Sequence, residues 1–447
     1  MEQLSVENLV IGFGKAGKTL AADLAKVGQS VILVEQSEAM YGGTCINIGC
    51  IPSKKLLVEG LKGQNVADKV TVFNQSMTAK NGLIGKLRAA NFAKLDSLEN
   101  ARIITAKASF KDEHTVLLNG RDGEFEVRAD KIFINTGASS NRLAIEGADS
   151  ARIYDSTGIL SLTERPDRLV IVGGGYISLE FAFMYQAFGS QVTILENGDT
   201  FLAREDRDMA EAMLDVLNRK GIQVHLGVQT ERFVENVDST TVVTNQGEFI
   251  ADAVLVAIGR RANTQGLALE NADIKLNERG VIITDEHLRV AGKSHIWAMG
   301  DVAGSAQFTY ISLDDYRIVR DQLFAEGKRS RDDRAVFPTA VFTEPPFAHI
   351  GLTESAAQKS GRNIIVKKMK AEMIPKAKVL GQTDGLLKAI IDADTDEILG
   401  VTLFCAEAHE IINLFKMAMD YKIPASYIKN QIFTHPTIIE GLNDLFA

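Results

Sequence analysis

Cysteine is nearly absent from this chain: three residues in 447, which excludes a disulfide-stapled scaffold. Proline occurs eight times, and there is no low-complexity segment, so no proline-rich spacer or disordered tract is expected. Positive charge is in deficit. Lysine and arginine number 49 against 58 acidic residues, a net charge of −9 that argues against nucleic acid as a partner. No apolar run approaches the roughly 18 residues of a membrane span. The N-terminus has no basic flank and no small-residue cleavage site. Its apolar segment Leu9–Phe13 runs straight into a glycine motif, reading as a strand and not as a signal peptide. The expected setting is a reducing cytoplasm, where lasting disulfides are rare and exceptions are mostly catalytic or redox-sensing. The length suits about three domains.

Against that scarcity, two of the three cysteines stand five positions apart in Gly42-Gly43-Thr44-Cys45-Ile46-Asn47-Ile48-Gly49-Cys50-Ile51-Pro52-Ser53-Lys54. An ideal helix holds that spacing too far apart for a disulfide, which needs Cα atoms roughly 4.4–6.8 Å apart. An irregular turn at the flanking glycines would close the pair and leave it easy to reduce. Pro52 suits a helix start, and thiols at a helix N-terminus ionise readily. Taken alone, the pair also admits the reading of two unrelated buried thiols. Cys405, in the apolar run Leu399–Cys405, is expected to be a small core residue.

The neighbourhood favours a working dithiol, because one motif occurs twice. Leu9-Val10-Ile11 leads into Gly12-Phe13-Gly14-Lys15-Ala16-Gly17, a helical stretch to Lys26 and a strand Ser30–Val34 ending in Glu35. Leu169–Val172 leads into Gly173-Gly174-Gly175-Tyr176-Ile177-Ser178, a helical stretch to Phe188 and a strand Gln191–Leu195 ending in Glu196. In both copies the acid lies 23 positions after the first glycine. This is the order of a dinucleotide-binding unit: glycines admit a pyrophosphate to the backbone, the helix N-terminus receives its charge, and the carboxylate bonds ribose hydroxyls. Ser178 in place of a third glycine is tolerable but loosens the helix–strand contact. Glu196 repels the extra phosphate of NADPH, and the first arginine after it, Arg204, comes eighth, so NADH is expected. Closing strands follow each copy, Ile132-Phe133-Ile134-Asn135-Thr136-Gly137 and Val254–Arg260 with Gly259. A further run, Ile296–Asp301, ends in an acid. Two nucleotide sites and a dithiol suggest an electron relay.

Together these residues resemble the class I pyridine nucleotide–disulfide oxidoreductases, FAD-containing dimers related to dihydrolipoamide dehydrogenase, glutathione reductase and mercuric reductase. The segments Ile11–Leu20, Met40–Cys45, Phe308–Arg320 and Gln431–Pro436 are similar to the branch of reactive chlorine resistance flavoproteins and hypothiocyanous acid reductases. The resemblance implies an α/β fold: two Rossmann-like dinucleotide-binding domains, for FAD and NAD, plus a C-terminal α+β dimerisation domain. Domain limits are then 1–145 with 263–335 for FAD, 146–262 for NAD, and 336–447 for dimerisation. It implies FAD on Gly12, Gly14, Gly17, Glu35, Gly43, Thr44, Thr136, Gly137, Asp301 and Thr309, with Ala108 on the adenine side. NADH would lie on Gly173, Gly175, Tyr176, Ile177, Glu196 and Gly259. Lys54 and Glu180 would pair near the flavin ring, with Cys50 the flavin-proximal thiolate and Cys45 facing substrate. His435, oriented by Glu440, would act as base in the site of the partner subunit of a homodimer. A histidine suits that task because it titrates near working pH.

The implied reaction carries electrons from NADH through FAD to the Cys45–Cys50 disulfide and on to a small oxidant, foremost hypothiocyanous acid. Dihydrolipoamide is the weaker substrate, because Thr309-Tyr310-Ile311 stands where that enzyme has a Leu-Ala-His-like run. Reduction of copper or mercury through the same thiols competes with the oxidant reading, as does a disulfide redox sensor. No resident metal, nucleic acid or membrane partner is expected. Elsewhere, 53–100 reads as helical with Val66–Val72 too β-branched to assign. Ala101–Val127 reads as an antiparallel insertion turning at Asn119-Gly120 and Asp122-Gly123. Thr339–Gly351 opens the last domain, which carries a helix Ala408–Tyr421. Met417 and Met419 are read as interface or core packing residues, not ligands.

Overall fold

The strand Glu2–Ile11 is the axis of a parallel sheet, flanked by Val31–Glu35 on one side and Gly123–Ile134 on the other. Ala101–Phe110 extends the sheet beyond Val31–Glu35, and Ile296–Ala298 extends it beyond Gly123–Ile134. The computed structural model describes every residue except Asp122 and Ala335. Leu9-Val10-Ile11, Val31–Val34 and Ile132-Phe133-Ile134 are all buried, as a sheet covered on both faces requires. The first strand begins well before Leu9. Its polar N-terminal half is held by pairing Glu2 with Phe125 through Val6 with Ala129, a long-range register that local patterning does not reveal.

Ala101–Phe110, Thr115–Gly120 and Gly123–Ile134 form the expected antiparallel meander, whose outer strands continue into the parallel sheet. Of the turn read at Asp122-Gly123, Asp122 lies outside the described residues. The stretch 53–100 is two helices, Cys50–Lys62 and Lys69–Asp96. The β-branched residues around Val70 are helical because Asp68 caps the second helix, its carboxylate accepting from the Thr71 N–H at 3.0 Å.

A second sheet is wholly parallel, ordered Gln223–His225, Gln191–Leu195, Arg168–Val172, Ala253–Val256, Ile153–Tyr154. A three-stranded meander, Thr230–Glu235, Thr240–Thr244 and Gly247–Ala251, adjoins it. The chain crosses between the two units through the antiparallel pair Ala138–Ser140 and Arg260–Ala262. The C-terminal unit is a five-stranded antiparallel sheet, Thr339–Val341, Phe347–Gly351, Ile398–Phe404, Leu386–Asp392 and Ile364–Lys370, with the helix Ala408–Asp420 packed on it. The fold is thus two Rossmann-like units and a C-terminal α+β unit. Cys405 is fully buried there, its thiol pushed up to about 12 by burial, and is inert core. Met419 packs on that core and Met417 is exposed.

A buried ion cluster joins the second and third units. Lys388 is 1% exposed, and its Nζ meets Asp206 at 3.0 Å, Asp208 at 3.0 Å and Glu354 at 2.6 Å. Asp206 also accepts from the Glu354 backbone N–H. Among the described residues no helix is long and apolar enough to cross a membrane.

Candidate active site

The dithiol sits on a broken helix. Thr44–Asn47 forms one turn, Ile48 and Gly49 leave helical angles, and the helix Cys50–Lys62 begins directly after. This is the irregular turn that the spacing demanded, and it brings the two thiols close enough for each to act on the other's ionisation. Gly43 makes the approach to the first glycine loop possible. Its φ is +86°, and a Cβ there would lie 2.7 Å from the Gly14 Cα. Both thiols are free; Cys45 is half-buried and Cys50 exposed.

The neighbouring Cys50 thiol brings the Cys45 pKa down to about 6, with Thr309, Lys18 and Lys54 adding to the effect against the opposing cost of burial. The contact with Cys45, the protein packed around the sulfur of this otherwise exposed residue, and the Cys45 charge push Cys50 upward. The pair titrates as a unit: one proton leaves easily and the other is held. The resemblance places the thiolate on Cys50; the pair has one readily lost proton, and the charge it leaves is shared between the two sulfurs. Thr309 opens the 16-residue helix Thr309–Phe324, with its Oγ1 3.9 Å from the Cys50 Sγ. That helix therefore turns its positive end toward the sulfurs. Tyr310 follows, stacked on Phe308 at 5.1 Å with its hydroxyl donating to the Pro338 carbonyl at 2.7 Å.

Around the first glycine motif, Gly12 has φ +107° and a Cβ there would lie 2.3 Å from the Asn135 carbonyl oxygen. The Gly17 N–H donates to the Asn135 Oδ1 at 2.9 Å, and the Asn135 Nδ2 donates to the Met299 carbonyl at 2.7 Å. Glu35 is buried at the end of its strand and accepts from the Phe13 N–H at 3.1 Å; burial raises its pKa. Thr136 donates to the Asn263 carbonyl at 2.8 Å. Ala108 lies on Ala101–Phe110, three residues beyond Thr105, the partner of Glu35.

A dinucleotide with a flavin fits this cradle. Gly137 faces open space, with nothing within 4 Å of a built Cβ. Asp301 is half-buried in the turn that follows Ile296–Ala298, and burial raises its pKa. A polar ligand group facing that carboxyl would offset the cost of burial.

The second motif repeats the backbone but not the side-chain lock. Gly173 has φ +105°, with the Ala257 carbonyl oxygen 2.6 Å from a built Cβ. Gly175, ahead of the helix Tyr176–Ala187, has nothing within 4 Å, an open approach for a pyrophosphate. Glu196 accepts from the Gly174 N–H at 2.5 Å and the Gly198 N–H at 2.7 Å, which fixes its carboxylate at the strand end where a ribose is read. Ser178 is fully buried, and among the described residues its hydroxyl has no partner. Tyr176 donates to Glu205, Ile177 packs on the core, and the Gly259 carbonyl accepts from the Asn141 N–H.

Lys54 and Glu180 meet at 2.6 Å. The other Glu180 oxygen accepts from the Phe342 N–H at 3.0 Å, and the Lys54 ammonium lies 4.7 Å from the Phe342 ring centroid. One pair thus touches all three units beside the dithiol. His435 lies elsewhere, in the C-terminal unit. Its Nδ1 is 2.7 Å from the Glu440 Oε2, and this bond lowers the Glu440 pKa. The chain turns through Pro436 and Thr437, whose N–H also reaches Glu440 at 3.2 Å. His435 is largely exposed and, among the described residues, makes no hydrogen bond to either thiol.

Three residues carry no signal in the sequence. Asn135 ties the first glycine motif to two strands. Asp315, fully buried, accepts from the Gly300 N–H at 2.6 Å and pairs with Arg334, fixing the turn that carries Asp301. Lys18 reaches the Gly42 carbonyl at 2.9 Å. The paired residues lie 15 or more positions apart in each case, so no local motif marks them.

Residues 7–315 match the family model described as pyridine nucleotide-disulphide oxidoreductase, and residues 337–446 match its dimerisation domain. The chain is 47% identical over 440 residues to the probable pyridine nucleotide-disulfide oxidoreductase RclA of Escherichia coli, covering 98% of each. It is 31% identical to a mercuric reductase of Staphylococcus aureus, covering 97% of this chain and 80% of the relative. A solved structure, the Cu(II) complex of the HOCl-induced flavoprotein disulfide reductase RclA from Escherichia coli, superposes with a TM-score of 0.95 at 46% identity. It covers 99% of each chain.

Proposed function

The chain belongs to the pyridine nucleotide-disulphide oxidoreductases, an FAD- and NADH-dependent family, and we propose that it reduces a small thiol-reactive oxidant at Cys45 and Cys50, hypothiocyanous acid foremost. The observation that carries this is the dithiol itself: two thiols joined across a broken helix, one ionising near 6. Gly12, Gly14, Gly17, Glu35 and Asp301 would hold FAD and Gly173, Gly175 and Glu196 would hold NADH; bound there, the flavin would supply two-electron chemistry between the nicotinamide and the disulfide.

The chain's own side chains do the rest. The Cys45 thiolate attacks the electrophilic sulfur of hypothiocyanous acid; a sulfur–sulfur bond forms, the sulfur–oxygen bond breaks, and the oxygen leaves as water after gaining a proton. Cys50, deprotonated in turn, attacks the Cys45 sulfur, forming the disulfide and releasing thiocyanate. The dithiol loses two electrons and the oxidant gains them. A resolving thiol this close keeps Cys45 from irreversible oxidation. Lys54, matched by Glu180, keeps a positive charge beside the pair. The dimerisation domain makes a homodimer. Within it, His435 oriented by Glu440 is read as completing the partner's site and moving the protons. The working setting is a reducing cytoplasm.

A second acceptor has its own support: the related structure is described as a Cu(II) complex, and a mercuric reductase is among the relatives. Among the described residues of this chain no group of three or more histidine, cysteine or acidic side chains is placed to hold a metal ion. A metal substrate would meet the thiol pair. Replacing Cys45 by Ser tests the proposal. Oxidant-dependent NADH consumption should fall to background while bound flavin stays; unchanged turnover would refute it.

A further inference from the structure

Lys18 stands on the helix Lys15–Lys26, one turn after Gly14, and is half-buried. Among the described residues it has no carboxylate partner; its Nζ donates to the Gly42 carbonyl at 2.9 Å. Gly42 and Gly43 both have positive φ and form the turn that delivers Cys45, three residues after Gly42. A half-buried ammonium without a counter-ion is costly, so its position calls for an anion. Two anions suit it: the pyrophosphate that this helix N-terminus is read as receiving, and Cys45, whose ionisation Lys18 favours. Burial and the neighbouring Lys15 bring Lys18 down to about 8, Lys94 adds to this, and the charge on Cys45 opposes it. The groups that act on the Cys45 charge are Cys50, Thr309, Lys18 and Lys54. Those that interact with Cys50 are Cys45, Lys54, Thr309 and Tyr310. Of the two cations, Lys54 is already matched by Glu180. Lys18 is the one left without an acid among the described residues.

We infer that Lys18 is a positioning residue for the attacking thiol: it clamps the Gly42-Gly43 turn and supplies the positive field that keeps Cys45 ionised and draws anionic reagents to it. This rests on the reading of Cys45 as the thiol that meets oxidant. A lysine that only braced the turn would be replaceable by any side chain that keeps the loop in place. A field acts differently, on charge and on pH.

The test labels flavin-loaded, NADH-reduced enzyme under anaerobic conditions with iodoacetamide, which is neutral, and in parallel with iodoacetate, which is anionic. Labelling of Cys45 and Cys50 is counted separately by mass spectrometry across the acid-to-neutral range. In Lys18→Met, and in Lys18→Gln should the first variant fold poorly, the half-maximal pH for Cys45 moves up by about one unit, a tenfold change in ionisation. Iodoacetate slows more than iodoacetamide. Lys18→Arg keeps the wild-type midpoint and the wild-type ratio of the two reagents. An unmoved midpoint, or equal slowing of both reagents, overturns the inference. Loss of flavin with an unmoved midpoint overturns it too and assigns the lysine to cofactor holding. Wild-type enzyme that labels only at Cys50 sinks instead the reading of Cys45 as the attacking thiol, an outcome distinct from the others.

Discussion

The two nucleotide cradles share a backbone and differ in how they are held shut. In the first, Asn135 ties the Gly17 N–H to the Met299 carbonyl, so the glycine loop, its helix and two strands move as one body. In the second, the Ala257 carbonyl occupies the place beside Gly173 that the Asn135 carbonyl takes beside Gly12, and alanine has no polar side chain with which to bridge onward. Its third position is a serine with an unpaired buried hydroxyl. Bracing comes from outside, where Lys388 grips Asp206 and Asp208 at the start of the next helix. The difference suits what each must do. A prosthetic group stays, so a rigid cradle that lowers the cost of holding it is favoured. A nicotinamide nucleotide must leave every cycle, which favours a softer contact.

The largest expected contrast comes from the same substitution in both copies. Gly12→Ala drives a methyl to 2.3 Å from the Asn135 carbonyl oxygen at φ +107°, and should abolish flavin retention, read by absorbance after gel filtration. Gly173→Ala meets a carbonyl at 2.6 Å at φ +105°, and should leave flavin bound while the KM for NADH rises on the order of tenfold or more. Equal flavin loss in both would erase the distinction. Next comes the outer brace. Lys388→Met strands the buried Asp206 and leaves the partly exposed Asp208 and Glu354 to Lys368 alone, and should cost about 3–4 kcal/mol by denaturant unfolding. The inner lock is smaller: Asn135→Ala leaves one buried donor and one acceptor unpaired, about 2–4 kcal/mol, with flavin released more readily. Smallest is Ser178→Ala, which removes a buried, unpaired hydroxyl and should shift stability by within about 1 kcal/mol, on the stabilising side.

Features close together in the chain were legible in the sequence. Glycine spacing, the acid 23 residues on and the run from Gly42 to Lys54 are local, and their chemistry follows from residue type. So does the capped start of Lys69–Asp96 once Asp68 is recognised, though the valines there obscured it. The Glu440 carboxylate reaching back to His435 was legible only as a condition, that the chain turn between them. Asn135 stood in plain view within a closing strand but had no signal, because its partner Gly17 lies 118 positions away. Arg334 and Asp315, or Lys388 and Asp206, are likewise pairs that only folding creates. The ease with which the thiol pair loses its first proton depends on Thr309 and two lysines, one of them in the first glycine helix, far from Cys45 in any local pattern.

Reduction of the sulfurs by NADH is the step on which the whole relay depends. The direct measurement counts reactive thiols in the flavin-loaded, air-oxidised protein before and after one equivalent of NADH, with peptide mapping. A working relay gains labelling at both Cys45 and Cys50 and none at the buried Cys405. NADH consumed with both cysteines unchanged would contradict it.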